Sequence, residues 1–169
     1  MKGIQEKVAP IADLEVHQRI GTLIGSGLRF GLVVARFNDQ LTDVLAREAI
    51  RALKACGVKS KQVELVRVPG AYEVPVLIEK MAAGGKFDAL IALGVVVEGE
   101  TQHAQMIIDT TGASFLETAC RHDIPVINEI VGSRTWAQAA ERCQAGDTSR
   151  GWYAGLAAVE TAQVLRQFG

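Results

Sequence analysis

Short apolar runs alternate with stretches of helical periodicity along this chain, and that alternation leaves few architectures open. Residues 30–35, 63–68, 89–97 and 124–127 are short, rich in β-branched side chains and flanked by glycine or polar positions, which favours strands. The runs near 30 and 90 are almost continuously apolar, as in strands covered on both faces of a parallel sheet. Between the runs, Leu41, Leu45, Ala49 and Leu53 recur at helical spacing and Gly57 offers a stop. Further helices are expected at about 72–83, 102–122, 135–143 and 149–168, with Trp152, Leu156 and Val159 on the inner face of the last. Strand–helix alternation of this kind predicts an α/β fold, a flavodoxin-like three-layer sandwich. Its central sheet would be mainly parallel and four-stranded. Residues 18–24 read as a further short strand outside the alternation.

The length of 169 residues suits one domain, expected over 18–169, with 1–17 as a poorly ordered N-terminal extension. Eighteen Lys+Arg against nineteen Asp+Glu leave a net charge of -1, so no general attraction to nucleic acid is expected. Cys56, Cys120 and Cys143 are widely spaced without a CxxC pair, which points to reduced thiols and neither a disulfide framework nor a metal site. No apolar run is long enough for a membrane span, and the charged start lacks the pattern of a secretory signal. The cytoplasm is the expected location.

Ligands of such sheets bind beyond the carboxyl ends of the strands, which directs attention to three junctions. At the first, Phe37 ends a core strand, where its ring can stack on a planar heterocycle or simply cover the core. Asn38 and Asp39 read as helix N-caps. At the second, Pro69-Gly70 forces a turn, Ala71 leaves room for a ligand, and Glu73 lies in the first helical turn. Glu73 serves either the helix dipole or the hydroxyls of a polyol. At the third, Gly99-Glu100-Thr101-Gln102-His103 opens a helix with Thr101 as N-cap, a natural anion site. His103 sits beside it, placed for general acid–base work or lying free on the surface. Arg142 and Arg150 flank 146–149, as phosphate clamps or as solvated helix-end cations.

Taken in order, Arg36-Phe37-Asn38, the run from Val66 through Pro75, Gly99 to His103, Lys86 to Gly94, Gln138 to Arg142 and Gly151-Trp152 resemble the lumazine synthase family. The resemblance extends from about Arg19 to Phe168. It implies a cofactor-independent, metal-free transferase of riboflavin biosynthesis. Such an enzyme condenses 5-amino-6-(D-ribitylamino)uracil with 3,4-dihydroxy-2-butanone 4-phosphate, giving 6,7-dimethyl-8-ribityllumazine, phosphate and water. On this resemblance Phe37, with Asn38 beside it, would contact the pyrimidine. Ala71, Tyr72 and Glu73 would hold the ribityl chain, and Val96 and Val97 would meet the pyrimidine through backbone groups. Glu100 and Thr101 would cradle the phosphate, completed by Arg142 of a neighbouring subunit. His103 would shuttle protons, and Arg150 stands where the family usually has lysine.

The resemblance also implies a homopentamer with sites between subunits, in many members closed into an icosahedral capsid of sixty, sometimes with riboflavin synthase as partner. Residues 18–24 would then add a strand to a neighbour's sheet. The chain departs from the family pattern at Glu98, at Ala104-Gln105, at Asn128-Glu129 in place of Phe-Gly, where Asn128 would take the substrate-contacting place of the aromatic, and at Gly132-Ser133-Arg134. These departures keep two alternatives in view. One is a lumazine-synthase-like shell or flavin-binding protein with weak or altered activity. The other is a different condensing enzyme on the same scaffold.

Overall fold

The computed structural model describes residues 9–99 and 102–169. Strands β1 (Phe30–Ala35), β2 (Val63–Val68), β3 (Ala89–Val97) and β4 (Val126–Ser133) form one sheet in the order β2-β1-β3-β4. Every pairing is parallel, so the sheet is wholly rather than mainly parallel. Helices α1 (Asp39–Ala55), α2 (Val74–Ala83), α3 (His103–His122), α4 (Trp136–Cys143) and α5 (Arg150–Leu165) supply the crossovers.

Strand alternation sorts the core into two layers. Phe30, Leu32 and Val34 of β1 and Ile91, Leu93 and Val95 of β3 meet α1, α4 and α5. Val33 and Ala35 of β1 and Leu90, Ala92 and Val96 of β3 meet α2 and α3. With helices on both faces, the three-layer sandwich follows from the continuous apolar character of β1 and β3.

Helix ends follow their local chemistry, with one exception. Gly57, at φ 87, stops α1, and the hydroxyls of Thr135 and Ser149 accept from Gln138 N and Gly151 N to cap α4 and α5. The exception is Asn38. It precedes α1 in the left-handed region, at φ 62, and makes no side-chain cap. Its amide instead donates to Val95 O at 2.9 Å, pinning the end of β1 to the end of β3.

β4 is the strand that sequence pattern placed least well. It was expected to end at Ile127, where Asn128-Glu129 breaks the apolar run, yet it pairs with β3 through Ser133. Parallel pairing to a central strand overrides the local polarity, and an ion pair described below accommodates Glu129. Residues 18–24 form no strand within the chain. They lie against α5 and the residues just after it: Gln163 of α5 donates to Ile24 O, and Gln167 Nε2 donates to Ile20 O at 2.8 Å. The first eight residues of the expected N-terminal extension lie outside the described residues.

Two polar clusters lock the helices. On one face, buried Glu48 accepts from Arg51 Nε and Nη2 at 2.9 and 2.7 Å and from Gly146 N at 3.2 Å. Arg51 also reaches Asp147 at 2.8 Å and lies over the Trp152 ring, 3.8 Å from its centroid. This group fixes the α4–α5 link. On the other face, Glu79 of α2 accepts from Thr118 at 2.8 Å and Arg121 at 3.0 Å and lies 2.8 Å from His122 Nε2, all on α3. These partners hold the Glu79 carboxyl at about 2, with the His122 hydrogen bond the largest cause and the Thr118 hydroxyl next.

Close backbone approach joins α1 to α5. A Cβ on Gly151 would lie 2.2 Å from Leu45 O, and one on Gly155 would lie 2.6 Å from Ala49 O. Gly151→Ala should therefore overpack the crossing and cost about 1–3 kcal/mol, read as a lower urea midpoint. Gly84→Ala, whose nearest neighbour would be at 3.4 Å, should change it little. The folded pKa of Glu79 lies below its unfolded value, so its stabilising contribution is present above about pH 4.5 and is lost as pH falls toward 2. Glu79→Gln should flatten that part of the stability–pH curve relative to wild type. Parallel curves would refute the latch.

Candidate active site

The carboxyl ends of β1, β2 and β3 open into one cleft of about 520 Å³. Backbone geometry sets its first wall. Arg36 N donates to Val68 O at 2.8 Å and Phe37 N to Pro69 O at 2.9 Å, which zips the β1 exit to the β2 exit. The Phe37 ring stands 71% exposed at the rim, free of the core it was alternatively expected to cover. The second wall is the turn Ala71–Glu73, a single 3-10 turn before α2. Glu73 Oε2 folds back to accept from Gly70 N at 2.8 Å. Its Oε1 has no partner among the described residues, so the carboxylate is anchored at one oxygen and available at the other. Gly94 of β3 admits this turn, since a Cβ there would lie 3.3 Å from Ala71 Cβ and 2.9 Å from Ile130 Cδ1.

Val95, Val96 and Val97 make the floor, and His103, Ala104 and Ile107 of α3 close the far side. His103 is the first residue of α3 and is exposed, with Gln102 in the N-cap position. Glu100 and Thr101, the expected phosphate cradle and cap, lie outside the described residues. Ile107 escaped sequence reasoning, although it sits one helical turn after His103 and so shares its face. The cleft thus gathers Phe37, Ala71, Tyr72, Glu73, Val96, Val97 and His103. Asn38 is not among its lining residues, because its amide is committed to Val95 O.

The other expected residues lie elsewhere. Arg142, in the last turn of α4, lines a second cleft of about 670 Å³ with Glu98, Gln105, Ser133, Arg134 and Gln138. The Ser133 hydroxyl there is buried without a hydrogen-bond partner among the described residues. Arg150, the first residue of α5, lines a third cleft of about 390 Å³ beside β4, together with Asn128 and Glu129. Arg150 was expected as an available cation. Instead its Nε and Nη2 bind Glu129 Oε1 and Oε2 at 2.7 and 3.2 Å. Glu129 is only 5% exposed. Burial pushes its carboxyl above the usual range, and Arg150 draws it only part of the way back. Burial likewise pushes the neighbouring Cys143 thiol up to about 11. Sequence reasoning left Glu129 without a role, because nothing local marks a strand carboxylate as the partner of an arginine 21 positions on.

Among the described residues no three His, Cys, Asp or Glu side chains are grouped to hold a metal ion, and no helix is long and apolar enough to cross a membrane. One aromatic rim, an anchored carboxylate and a histidine at a helix start suit a planar, hydroxyl-bearing ligand and proton transfer. The family model of 6,7-dimethyl-8-ribityllumazine synthase matches residues 27–166. A curated relative, the 6,7-dimethyl-8-ribityllumazine synthase of Desulfatibacillum aliphaticivorans, is 38% identical over 148 residues, covering 88% of this chain and 96% of the relative. The chain therefore belongs to the 6,7-dimethyl-8-ribityllumazine synthase family, transferases of riboflavin biosynthesis.

Proposed function

We propose that the chain condenses 5-amino-6-(D-ribitylamino)uracil with 3,4-dihydroxy-2-butanone 4-phosphate, releasing 6,7-dimethyl-8-ribityllumazine, phosphate and water. The observation that carries this reading is the single cleft holding Phe37, the Ala71–Glu73 turn and His103. Phe37 stacks on the pyrimidine. The free Oε1 of Glu73 accepts from ribityl hydroxyls while Ala71 and Tyr72 shape the channel. Backbone groups of Val96 and Val97 meet the ring, with Asn38 holding the strand ends beneath it. The 5-amino group is already a nucleophile, so most of the rate gain comes from holding two substrates in register. His103 moves protons during imine formation and phosphate loss. Glu100 and Thr101 receive the phosphate.

Arg142 and Arg150 stand in clefts separate from that of Phe37 and His103. We propose that they act on the site of an adjacent subunit in a homopentamer. Exposed Val76 and Leu116, at 66% and 69%, suit burial in such an assembly. We extend the proposal to residues 18–24, whose other edge would pair with a neighbour's sheet.

Lumazine absorbance and phosphate release, measured against an enzyme-free control, test the reaction. His103→Ala should lower kcat by about 10²–10⁴-fold with assembly intact, and an unchanged rate would remove its role. Arg142→Ala should raise KM for the butanone phosphate far more than for the aminouracil. Equal effects would refute a phosphate contact. Co-assembly of the His103→Ala and Arg142→Ala chains should restore about a quarter of wild-type activity, since random neighbours rebuild one intact site in four. No recovery from mixed oligomers would place both residues in one subunit's site. A correctly assembled protein without turnover that copurifies with flavin would favour the binding-protein alternative.

A further inference from the structure

A carboxylate in the middle of a buried strand is costly unless a partner meets it. Glu129 occupies such a place. It pairs in register with Leu93 of β3 and is almost wholly buried. Arg150 meets it with the side edge of the guanidinium, through Nε and Nη2 at 2.7 and 3.2 Å. Arg142 acts on Glu129 only at longer range. Arg150 is itself held at its backbone, since it is the first residue of α5 and buried Ser149 caps that helix.

Two consequences follow from this geometry. First, the side chain of Arg150 is 46% exposed and lines the third cleft, and its Nη1 makes no hydrogen bond to a described residue. A guanidinium held by one edge keeps its remaining N–H groups in a fixed plane. Second, the described residues that line the cleft carry no surplus positive charge. Glu129 neutralises Arg150, and Glu160 also lines the cleft, with Tyr153 beside Arg150. A phosphate gains little there, whereas a neutral carbonyl oxygen finds a directed donor without a charge to desolvate.

We propose that Glu129 is a positioning residue that fixes and neutralises Arg150, so that Nη1 donates to a neutral ring carbonyl of the pyrimidinedione substrate and not to the phosphate of the other. This rests on the reaction proposed above and on the adjacent-subunit arrangement. A lysine could supply a charge at position 150, but it could not fill both contacts to Glu129 and keep a planar donor directed outward. Asn128 also lines the cleft, but its side-chain amide lies near Gly112 of α3 and its Oδ1 accepts from Ile130 N, so it makes no hydrogen bond to Arg150 or Glu129.

The test uses the assembled oligomer and two readouts. One is steady-state kinetics with both substrates. The other is calorimetric binding of 6-(D-ribitylamino)uracil, which lacks the 5-amino nucleophile and cannot react. Glu129→Gln and Arg150→Lys should each weaken analogue binding and raise KM for the aminouracil by about tenfold. KM for the butanone phosphate should stay within about twofold, below the effect of a lost hydrogen bond. The double variant should be no worse than either single, because both break one unit. Variants that bind the analogue as tightly as wild type would overturn the proposal, as would additive losses or a selective rise in KM for the butanone phosphate. Should Glu129→Gln fail to assemble, Arg150→Lys alone decides by the same criteria. Failure of the reaction reading looks different: wild type itself would show neither turnover nor analogue binding, and this proposal would fall with it.

Discussion

Everything near the site depends on β1 and β3 lying side by side in parallel, each covered on both faces. Phe30 pairs with Ala89 and Val34 with Leu93, so both strands deliver their carboxyl ends to the same edge. Their near-complete burial supplies the driving force. The Asn38 amide on Val95 O finishes the job at that edge, where the ladder between β1 and β3 has ended. The left-handed conformation at Asn38, one of the few side-chain-bearing residues that enter that region readily, turns the chain into α1 and leaves Phe37 at the rim.

Polar groups then decide where the remaining cations stand. The Glu48–Arg51–Trp152 group ties the link after α4 to α1, and the Gly151 and Gly155 contacts seat α5 against the same helix. That places Arg142 and Arg150 along the β4 side of the molecule, apart from the cleft at the β1–β3 edge. Under the proposed reaction, a site that draws on both clefts takes residues from two subunits. The departures at Asn128, Glu129 and Arg134 all fall on this β4 side. The first cleft gathers Phe37, Glu73 and His103 together with one departure, Ala104, while Asn38 serves the scaffold.

Much of the fold was legible because its signals are local. β1, β2 and β3 have the limits their apolar runs announce, and the helices start and stop close to Gly57, Thr135 and Ser149. β4 was not legible beyond Ile127, since Asn128-Glu129 reads as the end of a strand until a neighbouring ladder and an arginine from α5 are in place. The same reasoning explains Glu79 and His122. Neither has a marked partner in sequence, and each gains one only when α2 and α3 pack together.

For the site, residue types and their positions after strands were enough to nominate Phe37, Glu73 and His103, because ligand sites in parallel sheets follow from chain direction. What tertiary structure alone decided is how those residues are shared out and which charges remain available. Phe37 and His103, Arg142, and Arg150 stand in three clefts, not one, and Arg150, an available cation by sequence, is the half-exposed partner of a buried carboxylate. The physical reason is range. Strand and helix propensities act over a few residues, whereas the neutralisation of a buried carboxylate is settled between segments that meet only in the folded chain.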